Sequence, residues 1–169
     1  MNNQDNFFEF LENEISEKEP SYLIDILPKR SLYSGYFKVE DYFLTHSTLE
    51  SIRIKHIEIF LKLMCYYECK IYLCKSTHFS SDDSLDNLES SFMKDINCLP
   101  VEEVVKLCSY ALSNSKVILY LYFPSIHSLI VKNEDDYLIL SIFGFQEKVD
   151  FDLLEQLSSS EGLFLRKMV

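Results

Sequence analysis

Residues 65–78 read CYYECKIYLCKSTH, which places Cys65, Cys69, Cys74 and His78 in one short stretch with the spacing C-x3-C-x4-C-x3-H. Thiolates and imidazole are zinc ligands, but structural zinc sites pair their cysteines on a tight turn and repeat the pair elsewhere. Here the reversal would have to fall at Glu68–Lys70, where neither Gly nor Pro supplies it. No C-x-x-C pair occurs either, so a thioredoxin-like redox centre has no sequence support. Free cysteine packs like a small hydrophobe. Cys65, Cys74 and Cys108 are therefore read as core residues, and neither a bound metal nor another cofactor is expected.

Other residues capable of chemistry are scattered. His127 lies beside Ser125 and Ser128, and Asp135 and Asp136 follow in the next turn. A serine nucleophile needs its base and orienting acid assembled in space, generally on a special turn, and no G-x-S-x-G is present. A small enzyme using His127 with a nearby Ser or Asp is the alternative reading; an exposed histidine between strands is preferred. His46 and His56 are ten residues apart, not the i, i+4 spacing of a zinc-binding helix. His56 is read as a hydrogen-bonded core or edge residue. There is no P-loop and no G-x-G-x-x-G, and with only 3 glycines the chain has little material for a phosphate-cradling loop.

Composition narrows the field further. The chain has 169 residues and is 47% hydrophobic and 14% aromatic, enough for one domain spanning residues 1–169 with a substantial core. Its formal net charge of −11 argues against nucleic acid as a partner, since phosphates must be met by lysine and arginine. The same charge favours steering toward a basic partner. Apolar runs such as VILYLYF (117–123) are too short to cross a bilayer. The N-terminal stretch MNNQDNFFEFLENE is acidic and lacks the basic region of a signal peptide. No membrane association and a cytoplasmic location are expected, and an odd count of 5 cysteines fits reduced thiols.

Periodicity supplies the elements. Phe7, Phe8, Leu11 and Ile15 predict a short acidic helix over 5–18, ended by Pro20. Residues 21–44 read as irregular, with a possible short strand at YFKVE. Ser47 and Glu50 form a capping-box signature ahead of a breaker-free helix. Its polar residues Ser51, Lys55, Glu58 and Lys62 make one narrow stripe, so it is predicted to be the largely buried central helix. KIYLCKS (70–76) reads as a strand, and a polar loop enters a short helix near Asp83 or Ser84. Pro100 opens an amphipathic helix through Val101, Val104, Val105, Cys108 and Leu112. Three strand-like runs follow at 116–123, 127–132 and 136–143, spaced as an antiparallel meander. A last helix over 150–161 ends at Gly162. The fold class is α+β: an antiparallel β-meander packed against several helices, without repeat or linker.

Two acidic stretches stand out. Asp82, Asp83, Asp86, Glu89 and Asp95, with Glu102 and Glu103 just beyond, have only Lys94 among them, and the NEDD turn adds Glu134, Asp135 and Asp136. Solvated loops and helix dipoles explain single acids; the lopsided balance of the whole chain calls for more. Asp82, Asp83, Asp86, Glu89, Glu134, Asp135 and Asp136 are the candidate partner-binding residues. A small, acidic, motif-free chain rich in Tyr and Phe resembles the immunity proteins of bacterial contact-dependent and polymorphic toxin systems. The resemblance is one of general character across the chain and transfers no family residue to a position here. It implies tight binding to one cognate basic toxin domain, often a nuclease, whose phosphate-shaped cleft carboxylates can occupy. Tyrosines near the acids would then act as anchors. The oligomeric state is left open.

Overall fold

The alternation within VILYLYF fixes the architecture. In the computed structural model Val117, Leu119, Leu121 and Phe123 join one buried cluster, whereas Tyr120, with Ile118 and Tyr122 against it, joins another. Successive strand side chains point to opposite faces, so a strand that is apolar at every position must be covered on both. The structure describes residues 22–29, 49–75, 94–95, 99–126, 128–132, 140–144 and 148–168, with the isolated positions 35, 38 and 42.

Seven strands are present among the described residues: β1 (Tyr22–Asp25), β2 (Lys70–Lys75), β3 (Lys94–Asp95), β4 (Val117–Phe123), β5 (Ser128–Lys132), β6 (Leu140–Phe143) and β7 (Phe164–Lys167). They form one sheet in the order β3-β2-β4-β5-β6-β1-β7, and every pairing is antiparallel. The expected meander is β4-β5-β6. Its register sets Leu121 opposite Ile130, and Ile130 opposite Ile142, which keeps β-branched and leucine side chains in cross-strand contact on one face.

The helices α1 (Leu49–Met64), α2 (Val101–Ser113) and α3 (Lys148–Ser160) cover that face. Ile57, Ile59, Phe60 and Leu63 of α1, Val104, Cys108, Ala111 and Leu112 of α2, and Leu154 of α3 all enter the cluster that holds Leu119, Leu121 and Phe123. Phe60 and Phe123 are the largest fully buried side chains; truncating either to alanine costs about 3–5 kcal/mol. The second face is lined by Tyr72, Tyr120, Leu129, Val131 and Phe143, also buried. An α+β fold with the meander against helices is thus what the periodicity requires.

Local stops and starts follow from residue type. Pro100 stands at the N-cap of α2 without a side-chain cap, and Glu102 and Glu103 occupy its first turn, where carboxylates complement the helix dipole. Gly162 adopts φ +70°, and the amides of Gly162 and Leu163 donate to the carbonyls of Ser159 and Ser158. That is the Schellman closure, and glycine is needed because a Cβ is strained in the left-handed region.

Several sequence expectations change. YLID (22–25), read as irregular, is β1, and FLRK (164–167), beyond the last expected element, is β7. Of the possible strand at YFKVE only Lys38 is among the described residues, and it is helical. The short helix expected from near Asp83 or Ser84 lies outside the described residues; Lys94, beyond it, pairs with Ile71 as part of β3. Cys65 is exposed and Cys69 is buried, the reverse of the emphasis placed on Cys65 as core. Helix α1 ends at Met64, so Cys65 falls on the turn that leads away from the core.

Candidate binding surface

Among the described residues, the two most exposed large hydrophobic side chains lie at the end where α1 stops and α2 starts. Strand β2 follows α1 directly and pairs antiparallel with β4, with Lys70 opposite Tyr122. Helix α2 precedes β4 through a short turn. The C-terminal turn of α1 and the N-terminal turn of α2 therefore share one end of the fold, and Tyr67 packs edge-on against Phe123 there at 6.5 Å. Tyr66 is 63% exposed and Val101 60%. Glu68, Pro100 and Glu102 are exposed beside them in the chain. Backbone pairing sets Asp95 opposite Lys70, so the described end of the acidic segment arrives at the same place.

This arrangement has the ingredients of a recognition patch. An exposed tyrosine and an exposed β-branched residue present apolar area, and glutamates rim it. Aromatic residues are enriched among energetic anchors, and the charges around them govern encounter more than grip. Of the acids singled out from the sequence, Asp95, Glu102 and Glu103 are brought to this end. Asp82, Asp83, Asp86, Glu89, Glu134, Asp135 and Asp136 lie outside the described residues, as do His46, His78 and His127. Tyr66 and Val101 were not singled out beforehand. Their signal was positional: a tyrosine just past the last helical turn, and an apolar residue directly after the N-cap proline.

The possible chemistry of the other candidates is limited by their surroundings. The Cys65 thiol donates to the Leu61 carbonyl one helical turn back at 3.4 Å, and Cys69 is turned into the core. Among the described residues no group of three or more His, Cys, Asp or Glu is placed to hold a metal ion. Burial pushes the Cys108 thiol up to about 12, which keeps it protonated and unreactive. Ser128 is fully buried and donates to the Ile126 carbonyl at 3.0 Å, so its hydroxyl is occupied in closing the turn before β5.

Asp25, Lys132 and His56 are buried as well. Asp25 is almost fully enclosed; its Oδ1 accepts from the Leu27 amide at 3.2 Å, and the Arg166 guanidinium lies 2.9 Å from Oδ2. Lys132, 1% exposed, donates to the carbonyls of Asn114 and Val117, each at 2.8 Å. His56 is fully buried, as a core histidine should be, but neither ring nitrogen has a hydrogen-bond partner, which corrects the expectation of a hydrogen-bonded residue. Its ring lies nearly parallel to that of Phe60. Burial, aided by the charge of Lys55, lowers its pKa to about 3. It is a neutral imidazole packed as an aromatic.

The outward stripe of α1 is engaged by the turn after α3. Lys62 forms an ion pair with Glu161 and donates to the Ser160 hydroxyl at 3.3 Å. Glu58 is held above the usual carboxylate range by a hydrogen bond to Glu161 and by that neighbour's charge; Glu161 is held below it chiefly by Lys62. Farther along the stripe, Ser51 and Lys55 line a cleft with Gly162 and Leu163. No helix among the described residues is long and apolar enough to cross a membrane. No family model, no curated protein and no solved structure matches the chain.

Proposed function

We propose that this protein is an acidic binding protein of the cytoplasm that neutralises a basic partner domain by covering its active site, in the manner of the immunity proteins it resembles. The observation that carries the reading is the coincidence, at one end of the fold, of exposed Tyr66 and Val101 with Glu68 and Glu102 in a chain of net charge −11. A toxin that cleaves nucleic acid must present a positive cleft. Carboxylates attract it over a distance set by ionic strength, and a tyrosine excluded from water on contact supplies affinity that rim charges do not. The acidic residues Asp82, Asp83, Asp86 and Glu89, which precede Asp95 in the chain, are proposed to contact the same partner.

The test begins with capture of partners by the tagged full chain from its own host. The expected result is one basic polypeptide, bound in stoichiometric amount, whose toxic activity disappears when the protein is added. Against that partner Tyr66→Ala should raise the dissociation constant about thirtyfold, the size of an ordinary hot spot. The double change Glu68→Lys with Glu102→Lys should slow association and flatten its salt dependence. Glu155→Lys, an exposed acid on α3, is the control and should change little. A partner whose activity is untouched by binding would sink the neutralising role, and variants that all bind like the parent would remove this surface from it.

A further inference from the structure

We propose that the cleft between the start of α1 and the α3–β7 turn binds a small aliphatic monocarboxylate, held by Lys55. This site is separate from the partner surface and does not depend on it. The cleft has a volume of about 210 Å³ and, among the described residues, its walls are Ile26, Leu27, Ile52 and Leu163. Its polar contributions are few: the Ser51 hydroxyl, the Lys55 ammonium and the backbone at Gly162. A pocket of apolar walls with a small number of placed polar groups is the usual form of a ligand site.

Lys55 is the unusual member. Its neighbours along α1 have acidic partners: Arg53 pairs with Glu50, and Lys62 with Glu161. Lys55 has no such pair among the described residues, although the chain carries 27 acidic residues against 16 basic ones. Its Nζ lies 3.5 Å from where a Cβ on residue 162 would stand, which places the ammonium over the α3–β7 turn. The first turn of α1 adds its positive dipole end on the same side, through Ser51. An anion is the complement of these charges, and an aliphatic tail is the complement of the walls.

Size then limits the ligand. At roughly 30 Å³ per water the cleft holds about seven water volumes, room for a carboxylate with a short chain of about five carbons behind it. Hexanoate is therefore the probe. A ligand of this size, with one ion pair and one buried tail, is expected to bind with a dissociation constant of about 1 mM.

Titration of the full chain, followed by amide chemical shifts, gives the test. Hexanoate should saturate, with shifts centred on residues 26–27, 51–55 and 162–163. Hexanol has the tail without the charge and should bind at least tenfold more weakly, on the order of the gain from one desolvated ion pair. Acetate has the charge without the tail and should not saturate. Lys55→Met keeps the aliphatic stem and should lose hexanoate binding at least tenfold while leaving hexanol binding unchanged, which also shows that the variant is folded. Equal affinity for hexanoate and hexanol, undiminished hexanoate binding by Lys55→Met, or no saturation by hexanoate up to about ten times the expected constant would each overturn the proposal.

Discussion

Lys132 and His56 are both polar, both sealed from solvent, and both belong to the helix-covered side of the sheet, yet only one is satisfied. Lys132 ends β5 and reaches the carbonyls of Asn114 and Val117, at the corner where α2 gives way to β4. Chain corners leave carbonyls without an intrahelical or ladder partner, and a cation near a helix C-terminus also complements its dipole. His56 sits in the middle of α1, where the surrounding backbone donors and acceptors are consumed by the helix itself. Its nitrogens meet the apolar side chains of the core instead. Of these two residues, the one where the chain turns is matched and the one where it runs straight is stranded.

The largest effect is expected at the satisfied site. Lys132→Met fills similar volume but removes two charge-assisted hydrogen bonds, each worth roughly 1.5–3 kcal/mol; the Val117 carbonyl loses this donor, while that of Asn114 keeps the Val117 amide. The loss should be about 2–4 kcal/mol by urea denaturation at pH 7. A loss under about 1 kcal/mol would erase the distinction between the two residues.

The stranded site should reveal itself through pH. With an unfolded pKa near 6.5 and a folded value of about 3, the unfolded chain binds a proton that the folded chain refuses. Stability from this group is therefore full above pH 6.5, falls as pH drops below it, and stops falling near pH 3. Between pH 6.5 and 4.5 the loss is about 2.3 kcal/mol, the slope reaching ~1.36 kcal/mol per unit only below the unfolded pKa. His56→Leu should lack this component, so the stability difference between variant and parent should widen in the variant's favour as pH falls. A constant difference across that range would mean that His56 finds a partner after all.

The smallest effect concerns the outer face of α1. Glu58 is raised, so what it adds to stability is present below the ordinary carboxylate pKa and is lost as pH rises through its folded value. Glu161 is lowered, so its contribution is present above the ordinary value and lost as pH falls through its folded one. Glu58→Gln offers Glu161 a donor that does not titrate. The variant should be slightly more stable than the parent at pH 7 and equal to it near pH 4, measured by thermal unfolding at each pH. With Glu58 exposed and Glu161 half-buried, the pair is worth little, and a large effect would show that the α3 turn grips α1 more firmly than a surface pair can.

What the sequence disclosed tracks how many residues each pattern had to work with. Helix α1 and the β4-β5-β6 meander were legible because long apolar periods admit few alternatives. Strands β1 and β7 were missed because YLID and FLRK have four residues each, too few to show a period, and both mix charge with apolar positions. The charge in them is itself structural: Asp25 of β1 and Arg166 of β7 pair across the strands, a contact between distant segments that no local window contains. Cys65 and Cys69 differ by one turn of chain and end on opposite sides of the surface, because the helix stops between Met64 and Cys65. For the site, the net charge and the acids Asp95, Glu102 and Glu103 were visible. The end of the fold they share with Tyr66 and Val101 depends on the antiparallel placement of α1 and α2, which only the packed structure supplies.

The place of β1 in the sheet has a consequence for how the chain is made. Ile24 pairs with Leu140 on one side and with Leu165 on the other, so a strand synthesised early waits for partners synthesised late. At ribosomal speeds of 5–20 residues per second the delay is on the order of ten seconds, far longer than a hairpin needs to form. The β4-β5-β6 meander can therefore assemble first and present β6 as a temporary edge. Arrival of β7 then locks β1 into the gap, with Arg166 closing over Asp25 as the last buried charge to be neutralised. Until that moment YLID is a naked, strand-prone segment beside a bare sheet edge, and the newborn protein is most open to pairing with a neighbour of its own kind.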